Sequence, residues 1–351
     1  MVSGVDMTGG GRAFEEFCMR RKGRLTMKKT VYIVLGLALA VFLMSGSFAA
    51  AQAADYPSEP IKLIVSYPPG GATDFQARIV TMKAQDYLGQ PIVIINKPGG
   101  GGMVGWNWFV TSASKDGYEL VAYNIPHFIA QSIVYPKKAD YNIGNMEPIA
   151  NWGTDPAVLV VPKDSPFNTT RDLVEYAKKN PGKVTVSGAG LYVGHHIALL
   201  QLEKAAGIKA SYIPYKGGVP ALLAVISGEV TAGFNNLSDA YRSRDRLKIL
   251  AVADLERSSF LPELKTFKEQ GYDVDDTSNN MRGIAAPKGT PPEIIEKLST
   301  GFVKMFNDKK IQQKMQETGS GMKVIPRDQL KKEWAKIEVT LKDVLKGLEE
   351  K

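Results

Sequence analysis

Three glycine-rich turns hold the residues of this 351-residue chain best suited to gripping a ligand. The first, Pro68-Pro69-Gly70-Gly71-Ala72-Thr73-Asp74, follows the apolar run 61–67. Its prolines stiffen the exit from a strand, and its glycines permit φ > 0 and a close backbone approach. A helix opening there presents its first free N–H groups, which attract carboxylates and phosphates. Thr73 or Asp74 would serve equally as a plain helix cap, and capping is compatible with ligand contact. The second turn, Val186-Ser187-Gly188-Ala189-Gly190-Leu191-Tyr192-Val193-Gly194-His195-His196, again reads as strand, glycine turn and helix. Two such turns, one per half of the chain, could face each other across a cleft. The third, Tyr215-Lys216-Gly217-Gly218-Val219, puts a lysine beside a helix start, where it either neutralises an acid or is simply a surface cation. Asn235-Asn236-Leu237-Ser238 adds neutral amides at a strand's C-terminal edge, where open α/β sheets bind their ligands.

Other chemistries fit less well. Gly100 to Gly105 spells G-x-G-x-x-G between a strand and a helix, but Asp116 and Glu119 come too early for the acidic partner of a dinucleotide site. A tight strand-to-helix turn accounts for these glycines better. Ser187 is not a G-x-S-x-G nucleophile, because Thr185 occupies the first glycine position. His195 and His196 are adjacent, so on a helix they point about 100° apart, and no third metal ligand is evident. One of them capping or lining the cleft is the simpler role. No nucleophile–base pair, metal or cofactor site emerges, so the expectation is a binding protein rather than an exported enzyme.

The start of the chain fixes the compartment. Met27-Lys28-Lys29, an apolar stretch at 31–44 and Ala51-Gln52-Ala53 are the parts of a secretory signal peptide over 27–53, with cleavage after Ala53. The stretch is short for a spanning helix, which needs roughly 20 residues; an uncleaved anchor is the alternative. Residues 1–26 show no apolar periodicity and read as an over-extended or non-native start, although Arg20-Arg21 also fits a twin-arginine signal. The only cysteine, Cys18, lies in this leader, which leaves the mature chain without disulfides or thiol chemistry. Seven of the 44 Lys/Arg and three of the 36 Asp/Glu also precede residue 54, so the net charge drops from +8 to +4. A nucleic-acid role gains nothing from that charge.

Behind the turns, β-rich runs alternate with helical patterns, which predicts an α/β fold. Strands are expected at 61–67, 92–95, 119–123, 157–161, 184–187, 210–213, 231–234 and 247–253. Helices are expected at 74–88, 104–112, 170–179, 197–206 and 219–227, with mostly amphipathic helix from Pro291 onward. The division expected is one lobe from 54–154 plus 277–351 and a second from 155–276.

These residues resemble the Bug-type solute-binding receptors of tripartite tricarboxylate transporters. The resemblance rests on Pro69-Gly70-Gly71…Asp74…Arg78, Leu88-Gly89-Gln90-Pro91, Asn96-Lys97-Pro98-Gly99, Asp116-Gly117-Tyr118, Pro181-Gly182-Lys183, Pro214-Tyr215-Lys216-Gly217 and Ala286-Pro287-Lys288-Gly289-Thr290-Pro291, in that order over the mature chain. It implies a two-lobed Venus-flytrap fold of the periplasm with a hinge between the lobes. It also implies a small organic acid held by the first two turns through bridging waters, and a membrane permease as partner; the receptor itself is expected to be a monomer. A ligand-sensing subunit of a membrane kinase would need the same clamshell. The expected ligand contacts are Tyr67, Pro69, Gly70, Gly71, Thr73 and Asp74 in the first turn. In the second half they are Ser187, Gly188, Ala189, Gly190, His195, His196, Asn235 and Asn236. Two departures stand out. Leu191 takes the usual hydroxyl position, with His195 and His196 one or two residues late, as after a small insertion. Asn280-Met281-Arg282-Gly283 has no Trp where the family often has one, at 281 or 282, a change either to the pocket floor or merely to the hinge. Leu191, Tyr192 and Val193 near the cleft suggest a monocarboxylate with an aromatic or aliphatic body.

Overall fold

The computed structural model describes residues 56–348; the expected signal peptide, the segment before it and Cys18 lie outside the described residues. Two mixed sheets organise the compact unit Pro57–Lys351. The first takes β1 (Ile61–Val65), β2 (Ile92–Asn96), β3 (Glu119–Ile125), β4 (Met146–Asp155), β10 (Asn280–Pro287) and β11 (Gly321–Pro326) in the order β11-β4-β10-β3-β1-β2. Strand β1 runs parallel to β2 and β3, whereas β10 and β11 enter antiparallel. The second sheet takes β5 (Ala157–Pro162), β6 (Thr185–Gly188), β7 (Ser211–Pro214), β8 (Ala232–Asn236) and β9 (Leu247–Ala253) in the order β7-β6-β8-β5-β9.

Strand β5, inside the second sheet between β8 and β9, shows why that sheet is covered on both faces. Ala157, Leu159 and Val161 of β5 pack into one apolar cluster with Leu173, Val174 and Leu199. The intervening Val158 and Val160 pack into another with Leu222, Val225 and Leu237. A period of two sends alternate side chains to opposite faces, so an unbroken apolar run needs helices on both sides.

The helices packed on the two sheets are α1 (Ala72–Val80), α2 (Ala84–Leu88), α3 (Met103–Ser112), α4 (His127–Val134), α5 (Thr170–Lys179), α6 (Gly194–Ala206), α7 (Gly218–Ile226), α8 (Leu237–Arg242), α9 (Pro292–Phe306), α10 (Lys309–Glu317) and α11 (Arg327–Val344). The helix expected over 74–88 is two helices. Thr81 Oγ1 bonds back to the Ala77 carbonyl at 2.7 Å, and a hydroxyl competing for the ladder favours a break there. The expected helical tail is interrupted by β11, which starts at Gly321 just past Gly319. The α/β reading holds, and the two-lobed fold with it. The sequence reading had left β4, β10, α4 and α8 without an element. Strands β4 and β10 run through the middle of the first sheet, and Pro148, Gly153 and Gly283 in them hide the β pattern.

The chain crosses between the sheets at Asp155-Pro156-Ala157 and again along 254–279. Asp155 is buried there and accepts from Ser238 N at 3.0 Å, Ser238 Oγ at 2.5 Å and Gln76 Nε2 at 3.2 Å. Opposite it lies Arg282, fully buried, with Nη1 at 2.6 Å from Asp155 Oδ2. A buried pair of this kind stabilises little in net terms, yet removing one partner alone costs about 3–5 kcal/mol.

Candidate ligand-binding site

Three helix starts meet at a cavity of about 30 Å³ between the two sheets. Helix α1 arrives from the first turn with Gly71 as N-cap, α6 from the second with Val193, and α7 from the third with Gly217. No side chain caps any of the three. At α1 and α7, whose first residues line the cavity, the first N–H groups and the positive dipole ends are therefore left for an anion, while α6 brings the His195 side chain. Gly217 has φ 121°, a conformation that L side chains rarely adopt, and a Cβ there would come within 3.1 Å of Pro68 on the opposite turn.

Of the expected contacts, Tyr67, Gly71, Thr73, Ala189, His195 and Asn236 line the cavity. The others stand behind it. Asp74 is occupied: Oδ2 accepts from Gly70 N and Arg78 Nε at 2.9 and 3.0 Å, and Oδ1 from Arg78 Nη2 and Asn96 Nδ2, both at 2.9 Å. Burial works against its charge, but these bonds prevail and hold its carboxyl below the usual carboxylate range. Asp74 therefore ties the turn together rather than lining the cavity, and Pro69 and Gly70 lie off the lining with it. Ser187 donates to the Ala221 carbonyl at 2.8 Å. Gly188 leaves room for the Tyr212 hydroxyl, which a Cβ would meet at 2.2 Å. Gly190 makes room for Gly101 across the cleft, at 2.9 Å from where its Cβ would be. Asn235 donates to the Gly218 carbonyl at 3.1 Å and braces the start of α7.

The two histidines separate as helical geometry requires. His196 stacks on Tyr212 with ring centroids 4.2 Å apart and does not line the cavity. His195 is buried and accepts the Ala189 N–H at Nδ1, 3.1 Å away. Burial pushes its pKa down to about 4, with the Asn236 amide opposing the drop. The ring is thus neutral at pH 7, and with Nδ1 accepting, the proton sits on Nε2. That Nε2 has no hydrogen-bond partner among the described residues.

Leu191, Tyr192 and Val193 do not line the cavity, so the expected apolar pocket loses its basis; the apolar wall comes from Tyr67, Pro68, Ala72, Val219 and Pro220. These residues instead touch the other side of the cleft. Tyr192, at φ 54°, packs edge-on to Tyr135 from the other side, with centroids 5.4 Å apart. Gln131 Nε2 donates to the Gly100 carbonyl and, across the cleft, to that of Leu191 at 3.0 Å.

Sequence reasoning missed Asn124 and His127, both cavity residues, and met Asn280, also a cavity residue, and Arg282 beneath them only within the departure at 280–283, without a role for either. A signal existed: Asn124 follows directly on the strand expected at 119–123, at its C-terminal edge. Asn280 and Arg282 lie on β10, which had no recognisable pattern. Arg282 Nε donates to Thr73 Oγ1 at 3.2 Å and Nη2 to Asn236 Oδ1 at 3.0 Å. Among the described residues, no group of three or more His, Cys, Asp or Glu side chains is placed to hold a metal ion. No helix among them is long and apolar enough to cross a membrane.

Two mixed α/β lobes with helix starts converging on the cleft between them define a solute-binding protein. The chain belongs to the tripartite tricarboxylate transporter family of receptors, whose sequence profile matches residues 76–339. It is 34% identical over 275 residues to the UPF0065 protein in the gbd 5′ region of Cupriavidus necator, covering 78% of this chain and 82% of that one. The periplasmic binding protein BugD superposes with a TM-score of 0.77 at 28% identity, covering 84% of this chain and 98% of that one. MatC from Rhodopseudomonas palustris, solved with bound malate, has a TM-score of 0.75 at 24% identity over 83% and 100% of the two chains, and so shares the fold. The Bug-type resemblance read from the sequence therefore stands.

Proposed function

We propose that this receptor captures a small organic acid in the cleft between its lobes and presents it, in the periplasm, to the permease of a tripartite transporter. The observation that carries the reading is the meeting of the uncapped starts of α1 and α7 with the unpartnered Nε2–H of His195. These groups offer hydrogen-bond donors from both lobes and suit a carboxylate better than a cation or an apolar solute. Thr73 adds one more. Its Oγ1 already accepts from Asn124 and Arg282, which leaves its own proton to donate.

A cavity of about 30 Å³ holds a water or two and no organic acid. Ligand entry therefore requires the lobes, taken as 54–154 with 277–351 and 155–276, to part about the crossings at Asp155 and 254–279. A ligand touching both sides then favours reclosure, because only differential contact shifts such an equilibrium. Isothermal titration of the purified protein against mono-, di- and tricarboxylates checks this. Saturable binding of one class, abolished in His195→Phe, is expected. Heat from neutral solutes only, with no acid bound, would overturn the reading.

A further inference from the structure

We infer that the ligand must carry a hydrogen-bond donor of its own, a hydroxyl or an amino or amide N–H, placed against Asn124 Oδ1 while its carboxylate faces His195. This inference rests on the carboxylate reading above and narrows it.

The argument starts from a side chain that can only donate. Arg282 Nη2 gives its hydrogen to Asn236, so the atom it meets at 3.0 Å is necessarily the Asn236 oxygen. Asn236 Nδ2 then points to Asp239 Oδ2 at 3.1 Å, which fixes the same orientation from the other end. Asn280 reaches that Asn236 oxygen at 3.3 Å and must do so with its NH2 group. Its own oxygen consequently turns toward Asn124, whose Nδ2 donates to it at 3.1 Å and to Thr73 Oγ1 at 2.8 Å. No amide in this relay can turn over without setting two donors or two acceptors face to face. The relay ends at Asn124 Oδ1. Asn124 is fully buried and lines the cavity, and this oxygen has no hydrogen-bond partner among the described residues.

One buried wall group is thus compelled to accept and another, His195 Nε2–H, to donate. A bare carboxylate satisfies only the second. A buried acceptor left unpaired costs binding free energy, whereas a ligand hydroxyl or N–H removes that penalty. Opening of the lobes disturbs the relay little, since Asn236 lies two residues from Ser238, which is tied to Asp155 at the crossing between the sheets. Groups beside a hinge axis move least.

The test compares matched acids on the wild-type protein by calorimetry: propionate with lactate and alanine, and glutarate with 2-hydroxyglutarate and glutamate. In at least one set, a member bearing the extra donor should bind about tenfold tighter or more than its parent acid. Whether the hydroxyl or the ammonium member gains tells which donor the site reads. Parent and substituted acids binding equally in every set would overturn the donor requirement and leave the carboxylate reading intact. No acid binding at all would overturn both. Asn124→Leu should bring the members of the favoured set to equal affinity. Should that variant fail to fold, Arg282→Met combined with Asp155→Asn releases the relay, and the preference should fall several-fold with Asn124 still in place. A preference unchanged in that double variant would overturn the relay argument.

Discussion

Of the three histidines in the chain, His127 and His195 line the cavity and His196 stacks on Tyr212. His127 and His195 are buried, and desolvation lowers their pKa values, as it does that of His196, to about 4 for His195 and His196. The sign of the pH effect follows. Between pH 6.5 and about 4 the unfolded chain binds protons on these rings that the folded chain does not. Stability is therefore complete above pH 6.5 and is lost as the pH falls toward 4, by at most about 1.4 kcal/mol per pH unit for each histidine. Melting temperatures recorded from pH 7.5 to 4.5 should show the decline, and His196→Phe, which keeps a ring on Tyr212, should flatten it. An identical slope in that variant would contradict the assignment for His196. Arg282 makes the second prediction at this scale. Arg282→Met leaves Asp155 buried with its guanidinium partner gone, and chemical denaturation should report a loss of about 3–5 kcal/mol. Adding Asp155→Asn should recover part of it.

Among the elements, helix α3 explains the glycine cluster at 99–105. Gly99, Gly100, Gly101 and Gly102 all have positive φ, which only glycine adopts without strain in such a run. Gly105 lies where α3 presses on the first sheet, with a Cβ meeting Ser66 Oγ at 2.4 Å and the Lys97 carbonyl at 2.8 Å. The G-x-G-x-x-G spelling thus encodes a turn and a close helix–strand contact, as the missing acidic partner had indicated. Gly105→Ala should lower stability by about 1–3 kcal/mol through overpacking, read by urea denaturation. Helix α5 offers a contrast remote from the cleft. Thr169 and Asp172 form a reciprocal capping box there. Thr169→Ala should cost about 1 kcal/mol and leave ligand affinity unchanged; a change in affinity would mean that α5 is coupled to the cleft.

For the molecule as a whole, several contacts span the cleft. Tyr192 meets Tyr135, Gln131 reaches Leu191, and the Arg242 guanidinium lies 4.6 Å from the centre of the Phe75 ring. Each is individually worth about 1 kcal/mol or less, but together they can shift an equilibrium between open and closed forms. Gln131→Ala with Tyr192→Gly should enlarge the radius of gyration of the ligand-free protein in small-angle X-ray scattering. Saturating ligand should restore most of the compactness. Scattering curves that superpose with wild type before ligand is added would show that these contacts do not set the closure.

The local code was legible where neighbours in sequence decide the structure. Strand–turn–helix units at Gly70-Gly71 and Gly217-Gly218 and the apolar run of β5 follow from backbone sterics and residue period, which act over a few residues. The family could be read for the same reason, since its motifs are such local units in a fixed order. The identity of the cavity wall was not local. Asn124, His195, Asn236 and Asn280 come from four separate segments, and only the pairing of β3 with β10 and the meeting of the lobes brings them together. Nor could the sequence tell that Asp74 braces the turn, that His195 rather than His196 faces the cavity, or that Arg282 orients three amides. A residue type states which hydrogen bonds are available to it, whereas the tertiary structure determines which partners take them up and which atoms are left over for a ligand.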